Sequence, residues 1–184
     1  MPNLKNEMLG IYQRKNTVTV LEAVDQLRKV GFAIAAIELY KGLKKVTELT
    51  GFKGRWQIMG HHPQVVIDSA HNADGMREVM QQLREMAYEN LHLVISFVSD
   101  KDVRAILCQL PADARYYFTR SSVPRSMDDN DLKQLAGSFG LKGESFASVE
   151  GAVQSARSAA GDNDLILICG SMFLLADFLV LQKK

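Results

Sequence analysis

The chain has 184 residues, 47% of them apolar and 23% charged, and its 22 basic residues against 21 acidic ones leave a formal charge of +1. That is enough polypeptide for one domain with a real core, or for one domain plus part of another, and the composition excludes a disordered or low-complexity chain. It also offers no net field to a nucleic-acid backbone or an anionic bilayer and no apolar run of membrane-spanning length, so neither nucleic acid nor membrane is expected as a partner.

The polar start Met1-Pro2-Asn3-Leu4-Lys5-Asn6 is unlike a signal peptide, which makes a soluble cytoplasmic protein the expectation. Val20, Ala23, Val24, Leu27 and Val30 then recur at helical spacing, with Thr19 and Glu22 at capping-box spacing and Gly31 positioned to end the helix. A second helical stretch has Ile34, Ile37, Tyr40, Leu43 and Val46 as its inward residues and Gly42 as a kink or stop. From Gly51 onward short β-type runs alternate with helical ones. This predicts an α/β fold, a Rossmann-like and mostly parallel sheet with flanking helices, preceded by the short helical segment.

Strands are predicted at Val65-Val66-Ile67, at 91–97, at 115–118 and at 165–169, the last continuously apolar as a strand buried on both faces should be. Between them Met76, Val79, Met80, Leu83 and Ala87 mark one helix, and Val103, Ile106, Leu107 and Leu110 a second that Pro111 stops. Ala152, Val153, Ala156 and Ala159 mark a third, and a final helix follows residue 169. Cys108 and Cys169 lie in separate apolar stretches and read as two buried free thiols. His61, His62 and His92 have no partner at ligand spacing and read as solvated or structural, and the methionines at helical spacing read as core.

In an open parallel sheet, ligands bind beyond the carboxyl ends of the strands, where helices begin with unpaired N–H groups. Three junctions of this kind carry polar residues. In Asp68-Ser69-Ala70-His71-Asn72 an acid suited to ribose hydroxyls or a metal is followed three residues later by an imidazole, although Asp68 or Asn72 could equally cap the next helix and His71 be a solvated loop residue. In Ser99-Asp100-Lys101-Asp102 the Lys101 ammonium could neutralise a phosphate or carboxylate, while Asp102 suits a helix start. In Cys169-Gly170-Ser171, Gly170 permits close backbone approach and Ser171 with the first helical N–H groups makes either a small anion site or a plain cap. The chain has no Walker-type phosphate loop, no G-x-G-x-x-G, no H-E-x-x-H and no G-x-S-x-G.

The order Tyr12-Gln13-x-x-Asn16, Gly54-Arg55-Trp56-Gln57, Asp68-Ser69-Ala70-His71-Asn72, Asp100-Lys101-Asp102 and Cys169-Gly170-Ser171 resembles the carboxy-terminal half of the folylpolyglutamate synthase/dihydrofolate synthase family of the Mur ligase superfamily. The resemblance implies an ATP-dependent amide ligase, in which ATP phosphorylates a folate or dihydropteroate carboxylate and the amine of L-glutamate displaces the phosphate. It implies Asn16, Arg55 and Asp68 as ATP-binding residues and His71 and Ser171 as residues on the glutamate side. His71 is also the candidate catalytic side chain, and Lys101 a further candidate substrate contact. The family often has Pro where this chain has Ala73, a preference of the first helical turn and not a requirement.

The family's phosphate loop, magnesium ligands and pterin loops precede the matched segment. Residues 1–50 are accordingly expected to be the edge of the central ATP-binding domain and 51–184 the carboxy-terminal domain, with the rest of that ATP-binding domain as a covalently linked partner and the isolated chain inactive. Two other readings stand beside this one. The chain could belong to a ligase adding an amino acid to a UDP-muramyl peptidoglycan precursor, or be a non-catalytic α/β module that binds a nucleotide or a protein.

Overall fold

The computed structural model describes residues 4–182. The chain divides into two compact units, Met1–Gln57 and Ile58–Lys184.

The first unit is helical, with α1 Gln13–Lys29, α2 Ala36–Lys44 and α3 Val46–Thr50. Helix α1 begins ahead of the Thr19-Glu22 pair, so Thr19 lies inside it and donates to the Lys15 carbonyl instead of capping. Gly31, at φ 100°, follows its end as expected. Gly42 does not interrupt α2, and the break falls at Lys45, whose φ of −132° leaves the helical region. The inward faces expected of these helices are only partly buried. Leu43 is buried, but Val20, Leu27, Val30 and Ile37 are exposed, Val30 at 74% and Ile37 at 73%. The chain then turns sharply through Gly54 at φ 86° and Trp56 at φ 45°, and Gly54 N–H donates to Gln57 Oε1 at 3.1 Å.

The second unit is built on a six-stranded sheet in the order β1-β2-β6-β3-β4-β5. Its strands are β1 Gln57–His61, β2 Gln64–Ile67, β3 Leu91–Ile95, β4 Arg115–Thr119, β5 Gly143–Phe146 and β6 Leu165–Cys169. The two-residue link His62-Pro63 returns β1 beside β2 as an antiparallel edge, there being no room for a crossover. β2 to β6 pair in parallel, with Val66 opposite Leu167, Leu93 opposite Leu167, and Val94 opposite Tyr117. All five residues of β3 and of β6 are buried, because both strands have a neighbour on either edge and helices on either face.

The helices are α4 Ala73–Leu83, α5 Val103–Leu107, α6 Asp129–Gly137, α7 Val149–Ala159 and α8 Met172–Leu181. From β2 through β3 and β4 to β5 the chain advances across the sheet in one direction, and it then doubles back to insert β6 between β2 and β3. Since parallel crossovers are right-handed, that reversal sends α7 to the face opposite α4, α5 and α6. Val65, Ile67, Val94, Tyr117, Ile166 and Ile168 accordingly pack against Ala152, Val153 and Ala156 of α7 and Leu174, Leu175 and Phe178 of α8. On α7 the small side chains let the helix lie close to the sheet, as their spacing suggested.

Ala87 and Ala159, expected on inward faces, are exposed: the former lies beyond the end of α4 and the latter is the last residue of α7. Cys169 is buried, but Cys108 is exposed, a correction to the sequence reading: it follows the last turn of α5 with its Sγ turned to the Ala105 carbonyl. His92 is structural. Its Nδ1 lies 2.9 Å from the hydroxyl of Tyr117, in the middle of β4, and its Nε2 3.2 Å from Asp164, just ahead of β6, all three buried. No described helix is long and apolar enough to cross a membrane.

Candidate functional site

The doubling back that inserts β6 between β2 and β3 brings the three polar junctions side by side. The segments leaving β2 and β3 run to one face of the sheet and the segment leaving β6 to the other, the arrangement at which open α/β sheets place a ligand crevice, here beyond β6. Gly170 N–H donates to the Ala70 carbonyl at 2.9 Å, tying the end of β6 to the Asp68–Asn72 segment. On its other side Gly170 lies against the exit of β3. A Cβ there would sit 2.7 Å from the Ser96 carbonyl oxygen and 2.8 Å from the Phe97 ring, and φ is +111°. Only glycine fits so close an approach.

Asp68 is buried, 2% exposed, and its Oδ1 accepts from the Ala70 N–H at 2.8 Å, closing a tight turn straight off β2. The carboxylate does not cap α4. That role belongs to Asn72, whose Oδ1 accepts from the Gly75 N–H at 2.8 Å. Burial, with the Asp68 charge nearby, pushes the Cys169 thiol well above the ordinary range, so this thiol stays protonated beneath the crevice.

His71 is half-buried, and its Nδ1 lies 2.9 Å from the Ser69 carbonyl. A carbonyl oxygen can only accept, so Nδ1 carries the proton and, in the neutral ring, Nε2 keeps its lone pair for an outside donor. Ser171 caps α8, its Oγ accepting from the Phe173 N–H at 3.1 Å, and is 2% exposed. The cap leaves the hydroxyl hydrogen and the first N–H groups of an apolar helix at the crevice.

Lys101 is exposed at the rim with its side chain in no ion pair among the described residues, and Asp102 caps α5 through Ala105 N–H at 3.1 Å. The segment after β4, which sequence reasoning passed over, joins the same edge. Arg125 stacks 4.9 Å over the Phe173 ring and lies 3.4 Å from Asp100, while its carbonyl accepts from Ser99 N–H at 3.0 Å. The only sequence signal for it was the basic residue and proline following a strand.

Asn16 and Arg55 belong to the first unit. Asn16 is exposed in the first turn of α1, its amide donating to Gln13 Oε1 at 2.9 Å. Arg55 stands at the apex of the Gly54–Gln57 turn, its guanidinium 5.9 Å from the Phe52 ring. Among the described residues no three His, Cys, Asp or Glu side chains come together as a group able to hold a metal ion.

A parallel α/β sheet with its polar junctions gathered beyond a doubled-back strand is the frame of a nucleotide- or anion-handling domain. Residues 54–172 match the family model of the Mur ligase glutamate ligase domain, and the chain belongs to that family. It is 32% identical over 171 residues to the "probable bifunctional folylpolyglutamate synthase/dihydropteroate synthase" of Haloferax volcanii, covering 92% of this chain and 20% of that protein. It is 26% identical over 179 residues to the dihydrofolate synthase/folylpolyglutamate synthase of Bacillus subtilis, covering 95% of this chain and 40% of the relative. Among solved structures it resembles the folylpolyglutamate synthase of Mycobacterium tuberculosis complexed with ADP and AMPPCP, with a TM-score of 0.85, 26% identity, and 98% of this chain against 42% of that one. The chain thus spans less than half the length of each of these proteins.

Proposed function

We propose that this chain is the carboxy-terminal part of an ATP-dependent ligase that joins L-glutamate to folate or dihydropteroate, and that it supplies one wall of the ATP and glutamate sites. The observation that carries the reading is the Gly170–Ala70 hydrogen bond, which joins the segment of Asp68 and His71 to that of Ser171 beyond β6 in a domain of the glutamate ligase family. In the reaction a carboxylate oxygen of the acceptor takes the γ-phosphoryl group of ATP. The glutamate amine then attacks the acyl carbon, and phosphate leaves with the C–O bond electrons. Rate in such chemistry comes from positioning and charge neutralisation.

Arg55 suits planar recognition of phosphate oxygens, and Asn16 supplies an amide to the nucleotide. Asp68 accepts hydrogen bonds from the nucleotide's hydroxyls. His71 Nε2 is the group that takes a proton or hydrogen bond from the glutamate ammonium, which must lose a proton before it attacks. Ser171 and the N-terminus of α8 receive a glutamate carboxylate, and Lys101 stands at the rim for a phosphate or carboxylate. Magnesium, when bound, would neutralise the phosphates, and the described residues offer no cluster of three His, Cys, Asp or Glu side chains to hold it.

In this reading residues 1–50 are the edge of the central ATP-binding domain and 51–184 the carboxy-terminal domain. The division into compact units after Gln57 and the family match from residue 54 support such a boundary.

The test is made on the polypeptide that carries these residues at its native size. It should attach radiolabelled glutamate to folate or dihydropteroate only with ATP, and Arg55→Ala or Asp68→Ala should raise the KM for ATP at least tenfold or abolish ligation. Unchanged kinetics in both variants would overturn the residue assignment. Attachment to a UDP-muramyl acceptor alone would transfer the domain to peptidoglycan-precursor synthesis.

A further inference from the structure

The geometry points to a second ligand site. We propose that the cavity between the carboxyl ends of β4 and β5 and the last turns of α8, about 610 Å³ in volume, binds one small oxyanion group, a carboxylate or a phosphate. It uses none of the residues proposed above for nucleotide or glutamate.

Three independent features meet on its walls. Ser121, 5% exposed, lines the cavity, and its Oγ is the one buried side-chain polar atom without a hydrogen-bond partner among the described residues. A buried hydroxyl left unpaired is costly, and an acceptor bound in the cavity that Ser121 lines would relieve that cost. The second feature is the start of α7, an eleven-residue helix whose opening residues Ser148, Val149 and Glu150 form the adjoining wall. Ser148 Oγ takes the Gly151 N–H at 3.2 Å and its carbonyl takes that of Ala152 at 3.2 Å. The N–H groups of Val149 and Glu150 therefore open the helix with no intrahelical acceptor.

Arg120 is the third. It lies 3.6 Å from Asp128 and 3.9 Å from Asp129, and its Nε is 3.3 Å from the Ala147 carbonyl, contacts that leave N–H groups of its five unused.

The acids at the cavity limit what can enter. Asp177, on the α8 wall, is already engaged by Ser122 N–H at 2.7 Å and Ser122 Oγ at 2.8 Å, and Glu150 is exposed at the head of α7. Val180 and Leu181 complete that wall. With Asp128 and Asp129 already beside Arg120, the acids around the cavity disfavour a polyphosphate, and the unpaired donors of Ser121, Val149, Glu150 and Arg120 suit a single oxyanion group.

The test is an amide-shift titration of the full ¹⁵N-labelled chain with inorganic phosphate and, separately, with succinate, at ionic strength held constant with sodium chloride. The site predicts saturable shifts at Ser121, Val149 and Glu150 with at least one of the two anions, and which one saturates identifies the source of the oxyanion. Ser121→Ala should weaken that binding at least fivefold yet melt no lower than the parent without anion, because its hydroxyl has no partner to lose. Shifts that chloride reproduces, an unchanged affinity in Ser121→Ala, or a lowered melting temperature in that variant would each overturn the proposal.

Discussion

Replacing Gly170 by alanine loads the seam on which the crevice depends. At φ +111° an L side chain is strained, and backbone held in such a region costs of order 1–3 kcal/mol. The new Cβ would stand 2.7 Å from the Ser96 carbonyl oxygen and 2.8 Å from the Phe97 ring, and the first of these is backbone of a strand exit that cannot simply rotate away. Overpacking of a tight interior adds about 1–3 kcal/mol. Partial relaxation shares the two costs, and a net loss of about 2–4 kcal/mol corresponds to about 4–15 °C in Tm for a chain of this size. Gly137, at the end of α6 with nothing within 4 Å of an added methyl, provides the control. Its replacement by alanine should be neutral or stabilising by up to about 1 kcal/mol. Both variants are melted in parallel, followed by circular dichroism and checked by urea midpoint. A Gly170→Ala protein within about 1 °C of the parent would refute the claim that β6 and β3 meet through a space only glycine fills.

The buried Asp164 gives a pH dependence. Burial raises its pKa, but hydrogen bonds from the Gly161 N–H, from the Asn90 side chain and N–H and from His92 more than offset this and hold it below the ordinary 3.8. A depressed carboxyl stabilises the fold above its unfolded pKa, so this contribution is present above about pH 4 and is lost as pH falls through the folded value. Urea midpoints between pH 6 and pH 2.5 should fall more steeply for the parent than for Asp164→Asn, and parallel curves would contradict the assignment. For the thiols, a disulfide-exchange reagent at pH 8 should modify Cys108 alone in the native protein and Cys169 only in denaturant, because burial holds the second thiol protonated. Equal reactivity of both would show that β6 is not sealed.

The strands legible in the sequence are those buried on both faces. β6 is apolar throughout and β3 is interrupted only by His92, and a central parallel strand is the arrangement that hides so unbroken a run. β1 and β5 escaped because they are edges: Gln57–His61 and Gly143–Phe146 are short, mix polar and apolar residues and are only partly buried, so they carry no clear periodic signal. The three junctions were legible one at a time, since Asp, Ser and Gly after an apolar run are strand-end chemistry. Their meeting was not. It depends on β6 inserting between β2 and β3, a choice made by long-range packing that no local pattern encodes.

The helical preface shows a different limit, and the proposed function supplies its reason. Of the eleven large hydrophobic residues exposed in the described chain, nine lie at or before Phe52, and Met172 and Val180 on α8 are the other two. Periodicity identifies which face of a helix is apolar, but it is silent on whether the partner of that face lies in the same polypeptide. Solvated faces of this kind are a liability unless something covers them. In the proposed ligase the cover is the rest of the ATP-binding domain, on whose edge α1 and α2 would lie. Under that proposal Val20, Leu27, Val30 and Ile37 would face the rest of a larger protein, whereas in this chain they are exposed, contrary to the inward position expected of them. The proposal predicts that hydrogen exchange along Gln13–Lys29 is fast in this chain alone and slowed at least tenfold in the native-size polypeptide. Equal exchange in both would mean that these faces are surface in the parent as well.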